Sequence, residues 1–145
     1  MRIAMGADHG GVGLKDDLAE QLRGQGHEVL DLGTNGSDSV DYPDFAHQVA
    51  QAILDDRADR GILVCGTGQG MAMAANKVPG VRAGVVSDTF SARMIAEHND
   101  ARILCLGARV VGPSLASAIV ASYLGASFEG GRHATRVDMI KAIET

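Results

Sequence analysis

The sequence has no tryptophan and only 3% aromatic residues, so the stacking platforms on which single-stranded nucleic acid is usually held are missing. Positive charge is also scarce. With 13 Lys+Arg against 18 Asp+Glu the formal charge is −5, which opposes long-range attraction to nucleic acid or an anionic membrane. Neither is expected as a partner. No segment approaches the roughly 20 apolar residues of a membrane span, and the start, MRIAMGADHGG, has a single Arg and no apolar run of signal-peptide length. A cytoplasmic location is the expectation. The two cysteines, Cys65 and Cys105, lie in apolar runs that read as separate strands, so reduced thiols are expected rather than a disulfide. No HExxH, CxxC or His/carboxylate set at ligand spacing is present, so no metal is expected.

What is present is a 145-residue chain, 46% hydrophobic and 21% charged, long enough for one core and too short for two domains of ordinary size. A single domain over 1–145 is expected. Short apolar runs alternate with amphipathic stretches of helix length, the pattern of repeated βα units on a parallel sheet. Five runs read as strands: Ile3 to Met5, Glu28 to Leu32, Gly61 to Cys65, Ala83 to Val86 and Ile103 to Leu106. Between them, Leu14, Leu18 and Leu22, and again Phe45, Val49 and Ile53, keep the four-residue step of a helix laying one face on the sheet. Pro43 and Pro113 read as helix starts, and a last helix is predicted from about Arg132 to Ile143.

In such a sheet, ligands sit beyond the carboxyl ends of strands, which directs attention to two glycine-rich loops. In the first, Gly6-Ala7-Asp8-His9-Gly10-Gly11, Asp8 occupies a position where a dinucleotide fingerprint needs glycine, and its carboxylate would repel a pyrophosphate. The second, Gly66-Thr67-Gly68-Gln69-Gly70, leads into a helix and offers backbone N–H groups to an anion or developing oxyanion; a tight turn is the plainer reading. Cys65 directly precedes it, in a setting that favours a thiolate base or nucleophile, though a small buried cysteine would look the same. His98 and Asn99 stand at a helix end, where the imidazole serves either as acid and base or as a cap. Arg132 and Arg136, four apart with His133 beside them, can grip a dianion from one helix face or simply be solvated. Arg109, after the fifth strand, is equally ambiguous.

Several of these motifs, taken in order, resemble the ribose-5-phosphate isomerase B family, which also includes galactose-6-phosphate and allose-6-phosphate isomerases. The carriers are Gly6-Ala7-Asp8-His9-Gly10, Asp41-Tyr42-Pro43, Cys65 to Gly70, Ala74-Ala75-Asn76-Lys77, Glu97-His98-Asn99-Asp100, Gly107 to Gly112 and Glu129-Gly130-Gly131-Arg132-His133. The resemblance implies an α/β, Rossmann-like three-layer sandwich with a five-stranded parallel sheet and a C-terminal helix. It implies cofactor-free interconversion of ribose 5-phosphate and ribulose 5-phosphate through an enediolate. Cys65 would move the proton between C1 and C2 with Thr67 close by, and the amides of Gly66, Thr67, Gly68, Gln69 and Gly70 would stabilise the enediolate oxygen. His98 would open the furanose ring aided by Asp8, Asn99 would contact substrate, and His9, Arg109, Arg132 and Arg136 would surround the phosphate. Met71 stands where some members carry a glutamate base, which points to the cysteine-type branch. A homodimer or dimer of dimers with sites shared between subunits is implied. A six-carbon phosphate as substrate, or a non-catalytic sugar-phosphate-binding module, are the alternatives.

Overall fold

A computed structural model describes residues 1–144. Strands and helices alternate: β1 (Arg2–Ala7), α1 (Val12–Gly24), β2 (Glu28–Asp31), α2 (Tyr42–Leu54), β3 (Arg60–Cys65), α3 (Gln69–Asn76), β4 (Ala83–Val85), α4 (Thr89–Glu97) and β5 (Ile103–Gly107), followed by α5 (Pro113–Leu124) and α6 (Arg132–Lys141). Each predicted strand is found within two residues of its expected bounds. Pro43 and Pro113 occupy the first turns of α2 and α5, where a missing N–H costs nothing. Asp88 caps α4 by accepting the Ser91 N–H.

All five strands are parallel, in the order β2-β1-β3-β5-β4. Because side chains alternate across a strand, the sheet feeds two cores. Ile3, Met5, Ile62, Val64, Leu104 and Leu106 pack under α1, α4 and α5 on one face. Ala4, Leu63, Cys65, Ile103 and Cys105 pack under α2 and α3 on the other. The result is the expected α/β sandwich of three layers. The last helix, α6, joins neither core and buries only His133 and Val137, leaving Met139, Ile140 and the following Ile143 exposed.

Strand order reverses between β1 and β3, and the chain parts there. The Ala7 N–H donates to Gly33 on the β2 side, whereas the Asp8 N–H donates to Val64 in β3. The crevice between the two carboxyl ends is where an open parallel sheet holds its ligand. On its β2 side, fully buried Lys15 holds the next loop, with Nζ 2.8 Å from Asp31 Oδ1 and 2.8 Å from Asn35 Oδ1. At the far edge β4 lacks a strand neighbour. There the Asn76 side chain takes that place, donating to the Ala83 carbonyl at 2.8 Å and accepting the Ala83 N–H at 2.9 Å.

Candidate active site

The crevice gathers the loops after β1, β3 and β5. Cys65 ends β3 and is nearly buried; its Sγ accepts the Gly68 N–H at 3.1 Å. Gly68 has φ +82 and its missing side chain lets it lie against the Leu106 main chain, where a Cβ would come within 3.1 Å of a carbonyl carbon. Glycine is therefore required both by conformation and by space. The Gly68 amide thus meets Sγ at the positive end of α3, a setting that favours negative charge. Thr67 and Gln69 are exposed on the loop, with Thr67 Oγ1 accepting the Gln69 N–H at 3.3 Å.

Two neighbouring loops fix this one. Main-chain bonds from Ala108 N to the Cys65 carbonyl, 2.8 Å, and from Arg109 N to the Gly66 carbonyl, 3.0 Å, lock the loop after β5 against it. The Arg109 side chain lies alongside Gly66. From the β1 side, Asp8 Oδ1 accepts the Gly10 N–H at 2.9 Å and His9 Nδ1 accepts the Val40 N–H at 3.2 Å. Asp8, His9, the Cys65 to Gly70 segment and Arg109 thus share one edge of the sheet. Two contributors stood in the quoted motifs without a role of their own: Tyr42, whose ring presses on Gly70 so closely that a Cβ there would collide, and Gly107, whose missing Cβ leaves room for Thr67. A glycine at a strand end carries no local mark of that purpose.

The other candidate residues lie at the opposite edge. Helix α4 descends from the carboxyl end of β4, so His98, its C-cap, and Asn99 stand where β5 begins. The Glu129 N–H donates to the Glu97 carbonyl, 2.9 Å, which brings the start of α6 to the same place. Arg132 and Arg136 are exposed there and form no ion pair among the described residues, while Glu129 and Asp138, their expected surface partners, face His98 and Lys141 instead. His133 departs from expectation. It turns inward, buried against His98, with ring centroids 3.9 Å apart and planes within 10°. Burial, first, and then the nearby His98 and Arg132 push its pKa down, against the pull of Glu129.

His98, Glu129 and His133 bring their ligand atoms within 4.8 Å of one another, a set that sequence spacing did not reveal. Near-parallel rings cannot aim two in-plane lone pairs at one ion, so chelation would require one imidazole to rotate. Cys105 lies under the sheet beside Leu63, one pleat from Cys65, and burial pushes its thiol pKa well up. Diagonal neighbours on adjacent strands are roughly 7–8 Å apart at Cα, too far for a disulfide without backbone movement. Two roomy cavities lie away from Cys65: one of about 450 Å³ is lined by Arg2, Glu28 and Arg57, and one of about 500 Å³ by Pro43, His47 and Lys77. None of the helices is long and apolar enough to cross a membrane, among the described residues.

The model of the ribose/galactose isomerase family matches residues 3–140. The ribose-5-phosphate isomerase B of Escherichia coli strain K12 is 50% identical over 143 residues, covering 99% of this chain and 96% of its own. A solved ribose-5-phosphate isomerase B from Clostridium thermocellum superposes with a TM-score of 0.98 at 56% identity, over 99% of this chain and 97% of that one. A third, from Mycoplasma genitalium and solved with bound ribulose-5-phosphate, has a TM-score of 0.94 at 44% identity, over 99% and 95% of the two chains.

Proposed function

The chain belongs to the ribose/galactose isomerase family, and on that premise we propose that it interconverts ribose 5-phosphate and ribulose 5-phosphate, with residues 1–145 acting as one isomerase domain. The observation that carries the chemistry is Cys65 Sγ, held by the Gly68 amide at the N-terminus of α3. A sulfur so placed can hold negative charge and exchange a proton. The neighbouring amides stand ready for the oxygen on which charge develops when that proton leaves.

The steps balance without an oxidant or reductant. In ring opening, the bond between C1 and the ring oxygen breaks, His98 gives that oxygen a proton, and the proton on O1 leaves toward Asp8. The Cys65 thiolate then takes the proton from C2. The electron pair left behind forms the C1–C2 double bond and the former carbonyl oxygen becomes an enediolate oxygen, held by the Gly66 to Gly70 amides. Cys65 returns its proton to C1, and the O2 proton passes to O1 as the ketone forms. Thr67 lies beside this path, and Asn99 contacts the sugar. His9, Arg109, Arg132 and Arg136 hold the phosphate.

This assignment needs two copies of the chain. Cys65 and His98 sit at opposite edges of one sheet, and Arg132 and Arg136, without an ion pair among the described residues, share the His98 edge. We assign the complete site to a homodimer or a dimer of dimers in which the His98 edge of one subunit faces the Cys65 crevice of another. The apolar end of α6, with Met139, Ile140 and Ile143 exposed, supports that reading. We read the chain as a cytoplasmic enzyme whose anionic substrate is held by these local arginines against a net charge of −5.

The test is isomerisation of ribose 5-phosphate in deuterated water, followed by NMR, for wild type, Cys65→Ala and Cys105→Ala. Wild type and Cys105→Ala turn over and exchange the carbon-bound proton; Cys65→Ala loses roughly 10²–10⁴-fold, the share general-base catalysis usually supplies. Turnover by Cys65→Ala equal to wild type would overturn the base assignment. Allose 6-phosphate in the same assay reports the preference for sugar length.

A further inference from the structure

Glu129 has no role in the reaction as assigned so far, yet it is built against His98. We propose that Glu129 is a positioning residue: its carboxylate holds the His98 and His133 imidazoles as a pair that carries one proton, and keeps that proton on His98 for delivery to the sugar's ring oxygen. The inference rests on the ring-opening role given to His98 above. Glu129 Oε1 lies 3.9 Å from His98 Nε2 and its Oε2 3.8 Å from His133 Nε2, so one carboxylate faces both rings.

The main chain makes this placement specific. The Glu129 N–H is bonded to the carbonyl of Glu97, the residue before His98, at 2.9 Å. Gly130 and Gly131, with φ +69 and +57, then turn the chain so that the His133 N–H meets the Gly130 carbonyl at 3.1 Å and the two side chains lie on one side of the turn. Side chains other than glycine rarely adopt that pair of conformations. The loop therefore brings the carboxylate and the second imidazole to the first as one unit.

Charge decides where the proton resides. Two imidazolium rings stacked at 3.9 Å would repel, so a proton on one ring disfavours a second on the other. His133 is the buried member and faces Arg132 and Arg136 on its own helix, both of which disfavour a charge on it. His98 is the more open ring, its side chain 36% exposed, and meets Glu129 across the gap. On α4 the remaining charged neighbours, Arg93 and Glu97, face each other at 3.9 Å and offset one another. The carboxylate of Glu129 is thus the anion that a protonated His98 meets.

Ring opening and proton transfer at carbon can be measured apart. Ribulose 5-phosphate cannot close a five-membered ring because the oxygen required carries the phosphate, so exchange of its C1 proton with deuterated water needs Cys65 but no ring opening. For Glu129→Gln, the expected result is a fall of roughly tenfold or more in kcat on ribose 5-phosphate, with a displaced acid limb of the pH profile. C1 exchange in ribulose 5-phosphate should remain within about twofold of wild type, and Glu129→Asp should recover part of the lost turnover. Equal losses in both assays, or none in either, would overturn the inference. His98→Asn separates it from the underlying reading. If His98→Asn shows the selective loss and Glu129→Gln does not, the role of Glu129 is wrong and that of His98 stands. If His98→Asn shows no selective loss, the ring-opening assignment itself is wrong.

Discussion

Cys65 and His98 stand at opposite ends of the same pair of strands. Cys65 is in register with Gly107, the last residue of β5, whereas His98 lies just ahead of Ile103, the first. The four residue steps between Ile103 and Gly107 cover about 13 Å at roughly 3.3 Å each, and every residue of that strand is buried, so packed interior separates the two side chains. A site using both must be assembled from two chains. Cys65→Ala and Arg132→Ala, each inactive alone, should therefore complement when mixed. Random pairing makes half the dimers mixed, and each mixed dimer has one intact site, so about a quarter of wild-type activity is expected. Verified heterodimers with no activity would place the whole reaction within one subunit.

Gly107→Ala tests how tightly the glycine turn after Cys65 is held. The added methyl carbon would lie 2.8 Å from the Cα, carbonyl carbon and oxygen of Thr67, all main-chain atoms with no flexible end to yield. The turn must shift, and with it the amides beside Cys65. A stability loss of about 1–3 kcal/mol in urea is expected, together with a kcat that falls by more than this loss of folded protein explains. Unchanged turnover would show that the amides tolerate displacement.

Lys15→Met should be far more damaging to stability than an ordinary surface change. Nζ is fully buried and lies 2.8 Å from Asp31 and 3.0 Å from Asp16, so methionine would leave the Asp31 carboxylate in the crevice wall without its cation. Removing one partner of a buried pair typically costs about 3 kcal/mol or more. Urea unfolding measures it. Restoration by the double change Lys15→Met with Asp31→Asn would confirm that the stranded charge is the cause.

Acid stability contains a small contribution from Arg2 and Asp59. Hydrogen bonds from the Arg2 guanidinium, and then from its main-chain N–H, hold the Asp59 carboxyl at about 2 rather than its ordinary 3.8. The folded state thus prefers the carboxylate. Its contribution is complete above the unfolded value and is lost as pH falls from 3.8 through about 2. Both side chains are over a third exposed, at 38% and 39%, so solvent limits the effect to about 1 kcal/mol or less. Asp59→Asn should flatten the stability profile in that window and leave neutral pH nearly unchanged.

Local pattern made much of this molecule readable. The apolar runs marked every strand, Pro43 and Pro113 marked helix starts, and the alternating glycines after Cys65 marked the tight turn into α3. Strand order was not readable, because β5 inserts between β3 and β4 through packing of α4 and α5, contacts that no short window contains. Distance in sequence also hid the His98, Glu129 and His133 cluster: the i,i+4 spacing of Glu129 and His133 was visible, but the fold alone brings in His98. Likewise Tyr42 on Gly70 and Thr67 on Gly107 are meetings of separate βα units.

The Asn76 amide bonded to both main-chain groups of Ala83 has a consequence for how the protein behaves at high concentration. A three-residue border strand with free donors and acceptors invites a stranger to extend the ladder, and successive additions build fibres. One carboxamide plugs that socket, so copies of the chain can meet through their helices without fusing their sheets.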